Sequence, residues 1–301
     1  MHNQTTEKNL SVKLIAWAVT ILVSSLPNIV WQEFFGTPSI WLLWSKLIFL
    51  GSMFLLSFFW KPARALRNYF LIFFILFLIE EIANLIGDTT YWKNWFPAHA
   101  LFIRSMFGIQ IRRVGVALIM TAVLFFIYKI PSRFFLSPGM LDSKASKEFF
   151  IIDEGTPWNR LGWILSILIT SGTLAFLLLA GRPSLSQLSK ALPLLPFVII
   201  LAAMNAFSEE LNYRAAFLAP LFPNLGKTHS ILLTATFFGL AHFYGVPYGV
   251  VGVIMSFVLG YLLSKSMIET RGFFWAWFIH FWQDVAIFSF MAIGSIIAGG
   301  G

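Results

Sequence analysis

The chain has 301 residues, 58% of them hydrophobic and 11% charged, with a formal net charge of +8. Soluble domains carry about 25% charged and about 45–50% apolar residues, so this composition excludes an ordinary water-soluble protein; the mean hydropathy of +0.79 and the 34 Phe and 12 Trp suit a chain dissolved in lipid. With no cysteine, a thiol nucleophile, a thiolate metal site and a disulfide framework are excluded too.

The N-terminus, Met1 to Leu10, is polar, and the run Leu14 to Trp31 behind it is long for a signal-peptide core with no small-residue cleavage site after it, so it reads as an uncleaved first helix. A spanning helix needs roughly 20 apolar residues. In chain order the candidates are Val12–Trp31, Ile40–Trp60, Tyr69–Ile86, Val114–Ile130, Leu161–Ala180, Ala191–Ala206, His229–Phe243, Tyr248–Leu263 and Phe273–Ile293. Several late ones are short and either tilt or sit inside the bundle. The expected fold is all-α, a polytopic transmembrane helix bundle of about eight spans. Trp31, Trp60, Tyr91 and Trp92 read as anchors at the membrane interface.

Basic residues gather at the ends of apolar runs, which fits anionic lipid headgroups. No Arg/Lys run resembles a nucleic-acid patch, so the expected partners are the bilayer and a membrane-associated protein or peptide, not nucleic acid. Lys61, Arg64 and Arg67 follow the second span, and Lys129, Arg133, Lys144 and Lys147 the fourth. The positive-inside rule puts both groups, and the N-terminus, in the cytoplasm. Lys93, Arg104, Arg112 and Arg113 then fall outside, against the rule; an interfacial or re-entrant piece around Trp95–Gln110 would reconcile them. Pro131–Pro157 is the longest polar interval. It divides the chain into N-terminal transmembrane helices (residues 1–135), a polar linker (136–157) and a C-terminal core (158–298).

A charge inside the bilayer costs about 2.5–3.5 kcal/mol at mid-helix on insertion scales, so such residues are usually functional. The acidic residues in or beside apolar runs are Glu80, Glu81, Glu209, Glu210 and Asp284, and the histidines are His242 and His280. In Ser208-Glu209-Glu210-Leu211-Asn212-Tyr213-Arg214, helical spacing lets Glu210 face Arg214 and turns Glu209 about 100° away, with Tyr213 one turn from Glu209. The same residues also read as a buried ion pair holding two helices in register. Phe238 and His242 share a helix face, with small Gly239 and Ala241 open to a close neighbour; a hydrogen-bonded interhelical histidine is the plainer reading. His280 and Asp284 are again four apart, so the Asp can orient the ring, join it in ligating a metal, or merely pack with it. Together the segments bring carboxylates and imidazoles together, and hydrolysis needs a base for water and donors or a metal for the oxyanion. Glu80-Glu81 lacks an Arg four residues on and reads as a helix-end cluster, a polar contact with the C-terminal half, or a cation site. His2, His99 and His229 receive no role.

The three motifs in order, Glu-Glu-x-x-x-Arg (Glu209, Glu210, Arg214), Phe-x-x-x-His (Phe238, His242) and His-x-x-x-Asp (His280, Asp284), resemble the family of CAAX proteases and bacteriocin-processing enzymes, type II CAAX prenyl endopeptidases among them. The resemblance covers roughly Trp158 to Ile293. It implies a conical bundle of about eight helices around a water-filled cavity, usually open to the cytosol. It implies hydrolysis of a peptide bond of a membrane-associated, in some members prenylated, protein. By carry-over Glu209 and His242 activate water, His280 with Asp284 stabilises the oxyanion or completes a metal site, and Glu210 and Arg214, with Phe238 and Tyr213 nearby, support them. Eukaryotic prenyl-protein proteases carry Asn where this chain has Asp284, and prokaryotic relatives can carry Asp. An ionised Asp cannot donate to an oxyanion, so it must be protonated, orient His280 or bind a cation. Glutamate-dependent and metalloprotease types both stay open: no cofactor is assigned, and a divalent metal such as zinc on Glu209, His242, His280 and Asp284 is the option to test. No His-Glu-x-x-His run is present. The competing readings are a proton- or cation-coupled transporter and a non-catalytic scaffold or immunity protein.

Overall fold

A computed structural model of the chain describes residues 2–97, 102–148 and 152–299, with side chains between 10 and 296. His99 and the His2 side chain lie outside the described residues. The α-helices are α1 (His2–Val23), α2 (Leu26–Phe35), α3 (Ile40–Leu56), α4 (Lys61–Arg64), α5 (Arg67–Asp88), α6 (Thr90–Trp95), α7 (Phe102–Tyr128), α8 (Trp158–Gly181), α9 (Leu185–Ala191), α10 (Leu195–Glu210), α11 (Ala216–Ala241), α12 (Val250–Thr270) and α13 (Phe274–Gly299). No strand forms among the described residues; extended pairing is limited to the isolated bridges Lys144–Pro157 and Glu148–Ile152.

Among the described residues seven helical runs are long and apolar enough to cross a membrane, and the 17-residue α3 is a shorter apolar helix, which brings the bundle to roughly eight spans. The protein is an integral, multi-pass membrane protein. Phe59, Leu179, Phe126 and Trp41 are each at least 74% exposed. In water such a surface would drive association; in a bilayer it is the lipid-facing side.

Several boundaries differ from the sequence expectation for local reasons. The run Val12–Trp31 is two helices, because Pro27 sits in the first turn of α2, where a missing N–H costs nothing, and Ser24 Oγ accepts the Leu26 N–H at 3.2 Å. The span expected from Val114 begins twelve residues earlier. At 27 residues, α7 is about 40 Å long, more than the roughly 30 Å hydrocarbon core. Arg104, Arg112 and Arg113 therefore lie in a helix, and from Phe102 onward no re-entrant piece is present. Between α10 and α11 runs a π turn, Leu211–Ala215, and beyond Pro220 and Pro223 helix α11 breaks at Gly226, where φ is 74°. The spans expected at Ala191–Ala206 and His229–Phe243 fall on either side of that break.

The centre of the bundle is a continuous apolar core drawn from the whole chain, with Leu50, Phe70, Leu76, Met120, Leu218, Leu263 and Ile279 all fully buried. Helix α10 packs between α7 and α13, and α11 packs against α12, α1 and α5. Gly239 permits the α11–α12 approach, since a Cβ there would stand 2.8 Å from the Val253 carbonyl oxygen.

Residues 136–148 dock on the turn from α12 to α13. Met140 N–H donates to Thr270 O (2.7 Å), Phe273 N–H to Ser137 O (2.7 Å) and Trp275 Nε1–H to Leu141 O (2.9 Å). A buried polar cluster secures the same region. Glu269 Oε1 accepts from Lys265 Nζ (2.7 Å), from Ser146 Oγ (2.6 Å) and from Lys227, while Oε2 accepts from Trp158 Nε1 (2.8 Å). Lys265 is fully buried and also reaches Glu148 at 3.3 Å. A buried cation is tolerable only with such complete pairing.

Candidate active site

The Glu209-Glu210 pair ends α10, and the π turn follows it at once; single π turns inside helices recur at functional sites. Here the turn leaves Glu209, Asn212 and Tyr213 on a cavity wall, while Glu210 and Arg214 are fully buried and ion-paired to each other. The Arg214 guanidinium also stacks on the Phe238 ring, 4.0 Å from its centroid. Helix α13 brings in His280 and Asp284, both 4% exposed, and is tied to α10 by Trp277 Nε1–H donating to Ala203 O at 3.2 Å.

These groups converge on the His280 imidazole. Its Nδ1 lies 2.7 Å from Glu210 Oε1, so Glu210 contacts His280 rather than Glu209. The other ring nitrogen, Nε2, stands 3.7 Å from Glu209 Oε2 and 3.6 Å from Asp284 Oδ1. An ionised Glu210 can only accept, so Nδ1 carries hydrogen, and Nε2 is directed at the two remaining carboxylates.

His242 closes α11 at its C-cap. Its ring lies 4.3 Å from the Phe238 ring, and Nδ1–H donates to the Phe238 carbonyl at 2.8 Å. A carbonyl can only accept, so Nδ1 carries hydrogen, and in the neutral ring Nε2 is then the lone-pair acceptor. His242 is within electrostatic reach of Glu209. The Phe238 ring thus touches Arg214 and His242 and meets His280 edge-on at 6.0 Å, and Tyr213 packs at its rim, also at 6.0 Å.

Three residues not singled out in the sequence complete the arrangement. Asn205, one turn before Glu209, donates from Nδ2 to Asp284 Oδ2 (3.0 Å) and to Glu209 Oε1 (3.2 Å). Its Oδ1 accepts from Gln110 Nε2 (3.2 Å) and from Arg113 Nη1 (2.5 Å) on α7. Arg113 Nη1 also donates to Glu209 Oε1 at 2.9 Å. The signal for Gln110 and Arg113 was their spacing, three apart on one helix face.

In front of Glu209 lies a cavity of about 400 Å³, lined by Glu80 and Asn84 from α5, Arg112 and Arg113 from α7, and Glu209 and Tyr213.

Among the described residues no group of three or more His, Asp or Glu side chains is placed to hold a metal ion. Glu209 Oε1 already takes two donors, one a guanidinium 2.9 Å away whose charge opposes a dication in the same shell.

Residues 191–286 match the family model for type II CAAX prenyl endopeptidases, Rce1-like. The matched segment is about a third of the chain, a narrower stretch than the expected resemblance from Trp158 to Ile293. It contains Glu209, Glu210, Arg214, Phe238, His242, His280 and Asp284; Glu80, Gln110, Arg112 and Arg113 lie outside it. No curated protein and no solved structure matches the chain. The matched family is one of membrane endopeptidases, so this part of the chain resembles a protease.

Proposed function

We propose that the protein is an intramembrane endopeptidase that hydrolyses a peptide bond of a membrane-associated, prenylated protein or peptide, with glutamate-activated water and no resident metal. The observation that carries this reading is the convergence of Glu209, Glu210 and Asp284 on His280 inside the segment that matches the prenyl endopeptidases.

In this reading a water sits between Glu209 Oε2 and His242 Nε2. Glu209 takes one of its protons as the oxygen attacks the substrate carbonyl carbon. Nε2–H of a protonated His280 donates to the oxyanion that forms. The C–N bond then breaks, and the proton held by Glu209 passes to the leaving amine, so the reaction consumes one water and leaves the enzyme unchanged. Positioned general bases contribute about 10²–10⁴-fold, and a single oxyanion donor about 10²–10³-fold. Asp284, held by Asn205, stands 3.6 Å from His280 Nε2 as its counter-charge, and the Glu210–Arg214 pair fixes the ring from behind. Arg113 and Asn205 occupy Oε1 of Glu209, which leaves Oε2 for the water.

The test is cleavage of farnesylated peptides and their unmodified counterparts by detergent-purified protein, with the new termini read by mass spectrometry. A single internal cut in the farnesylated peptides supports the reading. No cut in any membrane-associated peptide contradicts it.

A further inference from the structure

Not every polar side chain on the α10–α11 wall of the site is engaged. Ser208 Oγ donates to the Met204 carbonyl at 2.8 Å, and Glu209 Oε1 takes Arg113 and Asn205. Asn212 lies three residues beyond Glu209 in the π turn and lines the same cavity, yet it is only 4% exposed. Its Oδ1 is buried with no hydrogen-bond partner, and its Nδ2 donates to no acceptor among the described residues.

This asparagine does nothing for the fold. A buried amide without partners destabilises the chain that carries it, and Asn is a poor helix former. Leu would fill a similar volume free of both costs. The amide also restricts what can meet it, because it presents one acceptor and two donors. A carboxylate or a phosphate takes the donors and leaves Oδ1 unpaired. A cation takes Oδ1 and leaves the donors. In an extended peptide the N–H and C=O of one residue point to the same side, which is how two antiparallel strands exchange a pair of hydrogen bonds. That pair matches a side-chain amide at both ends.

We infer that Asn212 binds the main chain of the substrate, exchanging two hydrogen bonds with the N–H and C=O of one residue beside the cut. The inference rests on the endopeptidase reading. It adds that the substrate is held extended against the π turn and is recognised at this position by its backbone, whatever its side chain. A proline there lacks the N–H and is refused.

The experiment uses the full-length protein in detergent and a farnesylated peptide, together with a series in which one peptide bond at a time, on either side of the cut, is replaced by an ester. The ester keeps the carbonyl and exchanges the N–H for an oxygen. At one position the ester is expected to lower kcat/KM of the wild type by about 10- to 100-fold, because it leaves Oδ1 facing a second acceptor. Asn212→Leu lowers kcat/KM for the all-amide peptide by a similar factor and abolishes the ester effect at that position. Its melting temperature equals or exceeds that of the wild type, whereas loss of a structural Asn would lower it. Equal kcat/KM for every ester with wild-type protein overturns the inference without recourse to a variant. So does an ester effect that persists in Asn212→Leu, or a lowered melting temperature with wild-type turnover per folded molecule. Cleavage that depends on Glu209 but not on any ester sinks only this inference; no cleavage of the all-amide peptide sinks the endopeptidase reading and this inference with it.

Discussion

His280 Nδ1 lies 2.7 Å from Glu210 Oε1, and the same carboxylate is ion-paired to the fully buried Arg214. One carboxylate on α10 therefore fixes a ring on α13 and neutralises a guanidinium in the π turn. Removing it with Glu210→Ala strands Arg214 in the core. Breaking a buried pair from one side costs on the order of 3–5 kcal/mol, so a clear drop in melting temperature in detergent is expected. The double variant Glu210→Gln with Arg214→Met recovers part of that loss, while cleavage stays low because His280 has lost its anionic anchor. An unchanged melting temperature for Glu210→Ala would count against the pairing.

Arg113 tests whether the N-terminal half takes part in the chemistry. Its side chain is 49% exposed, so Arg113→Ala is expected to leave stability within about 0.5 kcal/mol. It does release Glu209 Oε1 and Asn205 Oδ1. A reacting group displaced by about 1 Å loses on the order of 10²-fold. The expected result is a fall in kcat of roughly 10- to 100-fold with little change in KM, partly restored by Arg113→Lys. A variant with full kcat would show that Glu209 needs no support from α7.

How much of this was legible in the sequence follows from the reach of each interaction. Glu210 with Arg214, Phe238 with His242, and His280 with Asp284 are each four apart in apolar runs, and the helical period alone places such pairs on one face. The π turn has no such mark, so nothing in the spacing signalled that Glu210 would contact His280 while Glu209 faced a cavity. Asn205, Gln110 and Arg113 meet across α7 and α10, more than 90 positions apart in the chain. Arg112 and Arg113 resembled loop charges because the apolar run seemed to begin at Val114. The helical fold was readable for the reason that made helix ends hard to place: a membrane chain is apolar almost everywhere, and polarity marks few boundaries.

The Glu269 cluster predicts a loss of stability that is separate from chemistry. Glu269→Ala removes the shared acceptor of Lys227, Lys265, Ser146 and Trp158 and leaves Lys265 with Ser146 and, as its one carboxylate among the described residues, Glu148 at 3.3 Å. The expected cost is on the order of 3–5 kcal/mol, with faster amide hydrogen exchange in residues 140–146. Turnover per folded molecule stays at the wild-type level. Lost turnover with unchanged exchange would mean that this cluster belongs to the active site.

Metal dependence is a separate question with a direct answer. With Arg113 on Glu209 and no three carboxylate or imidazole groups placed as ligands among the described residues, cleavage is expected to continue unchanged after prolonged treatment with a strong chelator. Loss under chelator, restored by zinc, would overturn the metal-free part of the proposal and leave the protease reading in place.

The most direct test of the central claim is the cleavage rate of Glu209→Gln beside wild type on the same farnesylated peptide. The substitution keeps the shape of the side chain and removes the base. A loss of about 10²- to 10⁴-fold in kcat, with melting temperature and peptide binding unchanged, is the expected result. Cleavage at the wild-type rate would contradict the account, because the account assigns the proton of the attacking water to Glu209.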